Sequence, residues 1–242
     1  VAHEFLKNSS CRVLMSDVFS GYIKAVRVSN EYRVMNNLAK IIAAFCNAHA
    51  RRKFDEARPS PEQIKEGVKD EAQFYIDLYK KIYEIEAQCQ DKTCDEILKL
   101  RAEMVPYFKE MKERGEKQLL GISNKGAMAT AINYLIKNFE GLTYFINDAE
   151  VPIDNNGQER LMRNPVIGRK TWYGTHSIKG ANTGAVLFSL VESCKLNKVN
   201  PREYFKDLVE IIHSGGPPLT PWEYLQSKLS SEKVPTPGQQ AK

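Results

Sequence analysis

Apolar positions recur at helical spacing through most of this chain and form short unbroken runs in two places near its start. From Ser60, the residues Ile64, Val68, Ala72, Tyr75, Tyr79 and Ile82 are separated by four, four, three, four and three positions, the period of an amphipathic helix. Ser60-Pro61-Glu62-Gln63 opens it with a capping serine, a proline at the first helical position and a glutamine at the third. Thr93-Cys94-Asp95-Glu96 repeats the capping pattern, and Ile97, Leu100, Met104, Phe108 and Met111 carry a second stripe to Gly115, with a kink expected at Pro106. Two such helices around a short polar turn predict an antiparallel hairpin. Residues 125–146 predict a further helix interrupted at Gly141, and residues 185–195 another. A last helix is expected from Asn200-Pro201-Arg202-Glu203 to about His213, ended by Gly215-Gly216-Pro217-Pro218. Residues 171–174 read as a short extended piece and 176–184, rich in Gly, Ser, Thr and Asn, as a loop.

The two unbroken runs carry a different signal. Residues 11–16, C-R-V-L-M-S, predict a short buried strand that runs straight into Asp17. Residues 41–46, I-I-A-A-F-C, fit a buried strand or a helix end. A helix should follow at 47–54, placing His49, Arg52 and Lys53 on one face.

Composition narrows the class. With 242 residues and 42% hydrophobic content the chain can bury a core in one large domain or two small ones. No run approaches the roughly 18 apolar residues of a membrane span, and the start lacks a signal-peptide pattern, so an intracellular, cytoplasmic protein is expected. The five cysteines include no C-x-x-C pair, which argues against a zinc ribbon or a disulfide framework. The net charge of +5 is segregated: residues 61–118 hold 11 basic against 14 acidic side chains, leaving 24 against 16, or +8, elsewhere. A basic excess outside the middle segment favours a polyanionic partner, although solvated lysines produce the same excess.

The stretch 153–170, I-D-N-N-G-Q-E-R-L-M-R-N-P-V-I-G-R-K, concentrates the candidate chemistry. Glu159 is followed by Arg160, Arg163, Arg169 and Lys170, one acid among bases, a composition suited to phosphate. A helix should begin at Asn155 or Asn156 and stop near Asn164, because Pro165 disfavours the helical region for its predecessor. Spacing alone leaves Glu159 equally readable as the return arm of a capping box from Asn156. Asp17 is likewise readable as an ordinary turn residue, and His49 as a satisfied polar side chain.

The octet I-D-N-N-G-Q-E-R, with I-G-R-K-x-W behind it, resembles the signature of transposases of the insertion sequence 66 family. The motif S-D-V-F-S-G-Y at 16–22 is similar to that family's D-G-Y-x-G-Y, with Val18 in place of a glycine. N-A-H-A-R-R-K-F at 47–54 resembles C-W-A-H-x-R-R-K-F, with Asn47 in place of tryptophan. Leu219-Thr220-Pro221-Trp222 matches a closing L-x-P-W. The likeness runs from about residue 14 to 222. It implies an α/β protein with a partial ribonuclease-H-like core lacking its first strand or strands: a mixed sheet, a helical hairpin insertion and a helical C-terminal part. The implied division is a first core part at 1–58, the insertion at 59–118, a second core part with C-terminal helices at 119–229, and a disordered tail at 230–242.

The resemblance also implies a function, that of a DNA transposase of a prokaryotic mobile element, working by metal-dependent phosphodiester hydrolysis and strand transfer. Asp17 and Glu159 become the second and third acids of a catalytic triad and ligands of Mg²⁺ or Mn²⁺ in a two-metal site. His49, Arg51, Arg52, Arg160, Arg163, Arg169 and Lys170 become DNA-binding residues, and Asp154, Asn155 and Asn156 a structural motif. The partners implied are element ends and target DNA, with a homo-oligomer on DNA, no membrane, and a place at the nucleoid. The first triad aspartate has no counterpart: only Glu4 precedes Asp17 among acids, so a truncated, catalytically incomplete piece is expected. Two other classes remain open, a non-catalytic DNA-binding or assembly module and a helical protein-interaction domain.

Overall fold

The structure, a computed structural model, describes residues 2–123, 125–171 and 174–232. It divides into two compact units, 1–157 and 158–242. In the first unit α1 (Ala2–Lys7) precedes β1 (Val13–Ser16), α2 (Ser20–Met35), β2 (Ile42–Phe45) and α3 (Asn47–Glu56). The strands pair in parallel, with Val13 opposite Ile42 and Ser16 opposite Phe45, and α2 is the crossover between them. The ambiguous run at 41–46 is therefore strand. Among the described residues the sheet has these two parallel strands rather than the mixed arrangement expected.

Strand periodicity distributes the side chains to two cores. Leu14 and Ala43 face a small cluster of Leu6, Ala25, Val26 and Ile41, whereas Val13, Met15 and Ala44 join the main core. Both faces of the sheet are covered, which explains why its strands read as continuous apolar runs. Buried Arg33 ties α2 to the loop before β1 and to the loop before β2 through the carbonyls of Ser9 and Ala39, at 2.8 and 2.6 Å. Asn30 exchanges two 2.8 Å hydrogen bonds with the backbone of Ile41 and so sets where β2 starts.

The main core is built by α3, α5 (Ala72–Ala87), α7 (Val105–Leu119) and α8 (Ala127–Lys137). Phe54 stacks on Tyr75 at 4.2 Å between ring centres, and Phe108 meets Tyr79, Phe139 and Phe145 edge-on at 6.2–6.4 Å.

Three expected helices break where local chemistry overrides the period. The capping box at Ser60 forms, but its helix, α4 (Pro61–Lys65), stops within two turns. Gly67, at φ +90°, donates to the Ile64 carbonyl while Val68 donates to that of Gln63, the pairing of a Schellman cap. Ile64 and Val68, counted in the stripe, are 49% and 47% exposed. Pro106 does not kink one helix but separates two, α6 (Cys94–Ala102) and α7, lying in the first turn of the latter where its missing N–H costs nothing. The stretch 125–146 breaks at Asn138 into α8 and α9 (Phe139–Thr143), followed by a 3₁₀ turn, Tyr144–Asn147.

Neither Gly115 nor Gly141 ends a helix. A Cβ at Gly115 would lie 2.7 Å from Ile132 Cγ2, and one at Gly141 would lie 2.3 Å from Phe45 Cδ2, so both glycines permit close approach. Gly141→Ala should therefore force the Phe45 ring off β2 and lower the unfolding free energy by about 1–3 kcal/mol, read as the urea midpoint by far-UV circular dichroism. A shift below about 0.5 kcal/mol would mean that the ring yields freely.

The second unit comprises α10 (Asn156–Thr171, its first turn at the unit boundary), α11 (Ile178–Leu196), α12 (Pro201–His213) and α13 (Pro221–Glu232). Cys194, Tyr204 and Tyr224 form its buried centre, with Tyr204 donating to the Leu219 carbonyl at 2.6 Å and Tyr224 to Asp207 Oδ2 at 2.7 Å. α12 spans the expected residues, with Asn200 Oδ1 accepting the Arg202 amide as cap. Three expectations are corrected. Residues 178–184 are helix rather than loop, since Ser177 Oγ accepts the Gly180 amide at 2.9 Å and starts α11 early. α10 does not stop at Asn164 but continues through Pro165, losing one backbone hydrogen bond. α13 carries helix to Glu232, past the expected start of the disordered tail; the rest of that tail, and Trp172 and Tyr173 of the extended piece at 171–174, lie outside the described residues.

Candidate active site

The C-terminal ends of β1 and β2 collect polar side chains. In parallel sheets this is the edge at which ligands bind, because the helices that follow open their N-termini there. Asp17 is the residue after β1, and its Oδ1 is buried with no hydrogen-bond partner among the described residues. Cys46 follows β2, and its amide donates to the Ser16 carbonyl at 2.9 Å, which extends the ladder by one step. Asn47 and His49 then occupy the first turn of α3. Val18, which replaces a glycine in the motif resembled, is not among the residues at positive φ, so the turn after Asp17 accommodates valine without strain.

The D-N-N stretch reaches the same edge. The Ile153 carbonyl accepts both the backbone N and the side-chain Nδ2 of Asn47, at 3.1 Å each, and Asn47 Nδ2 also donates to the Leu142 carbonyl at 2.9 Å. Asn47 is fully buried, and these bonds join β2 to residues 142 and 153 across about a hundred positions. Asp154 accepts the Asn156 amide on Oδ1 at 3.0 Å and its Nδ2 on Oδ2 at 2.8 Å. Asp154 Oδ2 also accepts the hydroxyl of Tyr83, from α5, at 3.0 Å. Asn155 Oδ1, like Asp17 Oδ1, is buried without a hydrogen-bond partner among the described residues. The amide that a capping box would hand to Glu159 is thus held by Asp154.

Electrostatics tie these groups together. Burial pushes the Cys46 thiol up, with the negative charge of Asp154 adding to it, so Cys46 stays a neutral thiol and is no nucleophile at neutral pH. Burial likewise pushes the Tyr134 phenol up to about 12, although the Val18 backbone opposes the shift and Cys46 and Asp17 reinforce it. Tyr83 is raised strongly by burial and by Asp154. The edge therefore offers carboxylate and amide oxygens ringed by neutral phenols, a donor set suited to a hard cation. Among the described residues no group of three or more His, Cys, Asp and Glu side chains is gathered for a metal.

The other sequence-predicted residues are placed as follows. Arg51 and Arg52 are exposed on α3, Arg51 pairing with Asp55 at 3.6 Å. Glu159 stands in the first turn of α10, in the second unit, with Arg160, Arg163, Arg169 and Lys170 exposed along the same helix. Sequence reasoning missed Tyr83, Tyr134 and Arg101. Of these, Arg101 left a trace, since it lies four residues after Ile97 and three before Met104, on the face the stripe marks as buried.

The profile of the transposase IS66 family matches residues 1–183. The chain belongs to that family. Similar curated proteins come from Sinorhizobium fredii (strain NBRC 101917 / NGR234). Uncharacterized protein y4hP is 29% identical over 232 residues, covering 90% of this chain and 41% of the relative. Uncharacterized protein y4qI is 30% identical over 222 residues, covering 85% and 39%. The chain thus spans about two fifths of the length of these relatives. No solved structure matches it. Among the described residues, no helix of this IS66-family chain is long and apolar enough to cross a membrane.

Proposed function

We propose that this chain is catalytic-domain sequence of a DNA transposase of an insertion element, and that its chemistry is metal-dependent phosphodiester hydrolysis and strand transfer at element ends. Family membership supports the transposase class, and the observation that carries the site is Asp17: a carboxylate at the C-terminal edge of a parallel sheet with Oδ1 buried and, among the described residues, without a hydrogen-bond partner. An ionised carboxylate oxygen kept from water without a hydrogen bond is costly unless a cation answers it. The proposed frame is ribonuclease-H-like, with the helices of 59–118 as an insertion, Asp17 and Glu159 as carboxylate ligands, and His49, Arg51, Arg52, Arg160, Arg163, Arg169 and Lys170 directed to DNA.

Mg²⁺ or Mn²⁺ would be held by carboxylate oxygens and waters, supplying activation of the attacking hydroxyl and stabilisation of the leaving oxygen. The chain's own residues have other tasks: the cations neutralise phosphate, and the half-buried Tyr134 phenol shields the side of Asp17. Glu4, the acid upstream of Asp17 in this sequence, lies on α1 and pairs with Lys7 at 2.8 Å.

The expected result is weak Mn²⁺ binding by the purified chain, with a Kd on the order of 10⁻³ M, reduced at least about tenfold by Asp17→Asn, and no strand cleavage or joining. Binding indifferent to Asp17→Asn would overturn the site. Robust metal-dependent cleavage by the 242-residue chain, abolished by Glu159→Gln, would overturn the expected inactivity while supporting the site. Duplex DNA binding unaffected by chelation, without any Mn²⁺ binding, would leave a non-catalytic DNA-binding module.

A further inference from the structure

Helix α5 touches the D-N-N turn at Asp154, and α6 holds the loop that leads into it. Arg101 of α6 is 3% exposed, and its Nε and Nη2 donate to Glu86 Oε2 and Oε1 of α5 at 2.9 and 2.6 Å. Its Nη1 donates to the carbonyls of Phe145, Asp148 and Val151 at 2.7, 2.9 and 2.9 Å. Three carbonyls within seven residues converge on one nitrogen, so the chain at 145–151 is wrapped around the guanidinium, which also lies 5.0 Å from the centre of the Phe145 ring. Arg12 holds the same turn from outside, pairing with Asp148 and with Glu150 at 2.7 Å. Two residues beyond Val151, the Ile153 carbonyl is bound by Asn47, and the next residue, Asp154, accepts from Tyr83. Tyr83 and Glu86 are one turn apart on α5, so one helix face holds Asp154 directly and the loop at 145–151 through Arg101.

A buried ion pair and a buried hydroxyl are a poor means of gaining stability. Apolar side chains of similar volume stabilise as well or better, while polar groups bind in one geometry. Their concentration on residues 145–154, the segment that opens α10 and leads to Glu159, is what a device for geometry requires.

We propose that α5 and α6 form a clamp that sets the turn at 154–156, with Tyr83 and Arg101 as positioning residues for the carboxylate site. Its functional half rests on the metal-site reading above. Tyr83→Phe removes one oxygen and leaves the core volume intact. In the full chain it should leave helix content and the urea midpoint unchanged, speed amide exchange at 154–157 at least about tenfold with α8 unaffected, and weaken Mn²⁺ binding about three- to tenfold. Arg101→Lys keeps the charge but loses the fork, and should produce the same two changes with faster exchange extending to 148. If Arg101→Lys fails to fold, Tyr83→Phe decides alone.

Unchanged exchange at 154–157 in Tyr83→Phe overturns the clamp. Faster exchange with unchanged Mn²⁺ affinity overturns the positioning role, because a merely structural tie predicts that pattern. If the wild-type chain shows no Asp17-dependent Mn²⁺ binding, the metal-site reading fails, and the exchange result then decides the clamp by itself.

Discussion

Arg101→Ala should lower the unfolding free energy of the first unit by about 3–5 kcal/mol, the cost of breaking a buried ion pair and leaving its partner behind. Glu86, whose side chain is only 17% exposed, would be left without its partner fork. The carbonyls of Phe145, Asp148 and Val151 would lose their shared donor at the same time. Glu86→Gln should cost less, because Arg101 keeps those three carbonyls. The double change Glu86→Met with Arg101→Met should cost less than the sum of the two single changes, by a coupling of about 0.5–3 kcal/mol. Urea unfolding followed by far-UV circular dichroism reads the loss. Both tryptophans follow Gly157 in the sequence, so tryptophan emission serves as an internal control on the second unit. A loss under about 1 kcal/mol would show that water replaces the side chain, and the turn at 145–151 would then not depend on it.

How much of this was legible in advance depended on the range of the interaction. Capping is local, and the boxes at Ser60 and Thr93 and the cap at Asn200 appear where the residues place them. The strand before Asp17 was legible because a run buried on both faces leaves no alternation to confuse it. Ile64 and Val68 misled because they keep helical spacing across a glycine whose left-handed backbone ends the helix; periodicity counts side chains and does not see φ. Pro165 misled in the opposite sense. The rule that proline ends helices is a cost of one hydrogen bond and a steric preference, and α10 bears it.

At the candidate site the split is similar. Asp17, His49 and Asp154 sit in motifs that can be read as strings, and the structure places all three in the first unit, at or next to the turn and helix that follow its strands. Tyr83 and Arg101 could not be assigned from spacing, since their partners lie 71 and 44–50 positions away. Asn47 could be noticed as a substitution for tryptophan, but its use as a buried bracket between Leu142 and Ile153 appears only in three dimensions.

Replacing Arg160, Arg163, Arg169 and Lys170 together by alanine should reduce the affinity for duplex DNA about a thousandfold at 0.1 M salt. Each phosphate contact contributes about 0.9 to the slope of log affinity against log salt, so four contacts account for roughly 3.6. Because α10 runs through Pro165, Arg169 and Lys170 share a helix with Glu159, and Lys170 lies about 16 Å along the axis from it at 1.5 Å per residue. Arg160, Arg163 and Lys170 recur at three and seven positions and so form one stripe, a row that can follow successive phosphates. The competing explanation is that Arg169 and Lys170, in the last turn, merely complement the helix dipole, which is worth about 0.3–1 kcal/mol to stability and nothing to DNA. The salt series separates the two, since dipole complementation predicts a lower melting temperature with the slope unchanged. A pairwise version sharpens it: Arg160→Ala with Arg163→Ala should lower the slope by about 1.8, and Arg169→Ala with Lys170→Ala by the same amount. If the first pair changes the slope and the second does not, the DNA track ends before Pro165, and the continuation of α10 serves the fold alone.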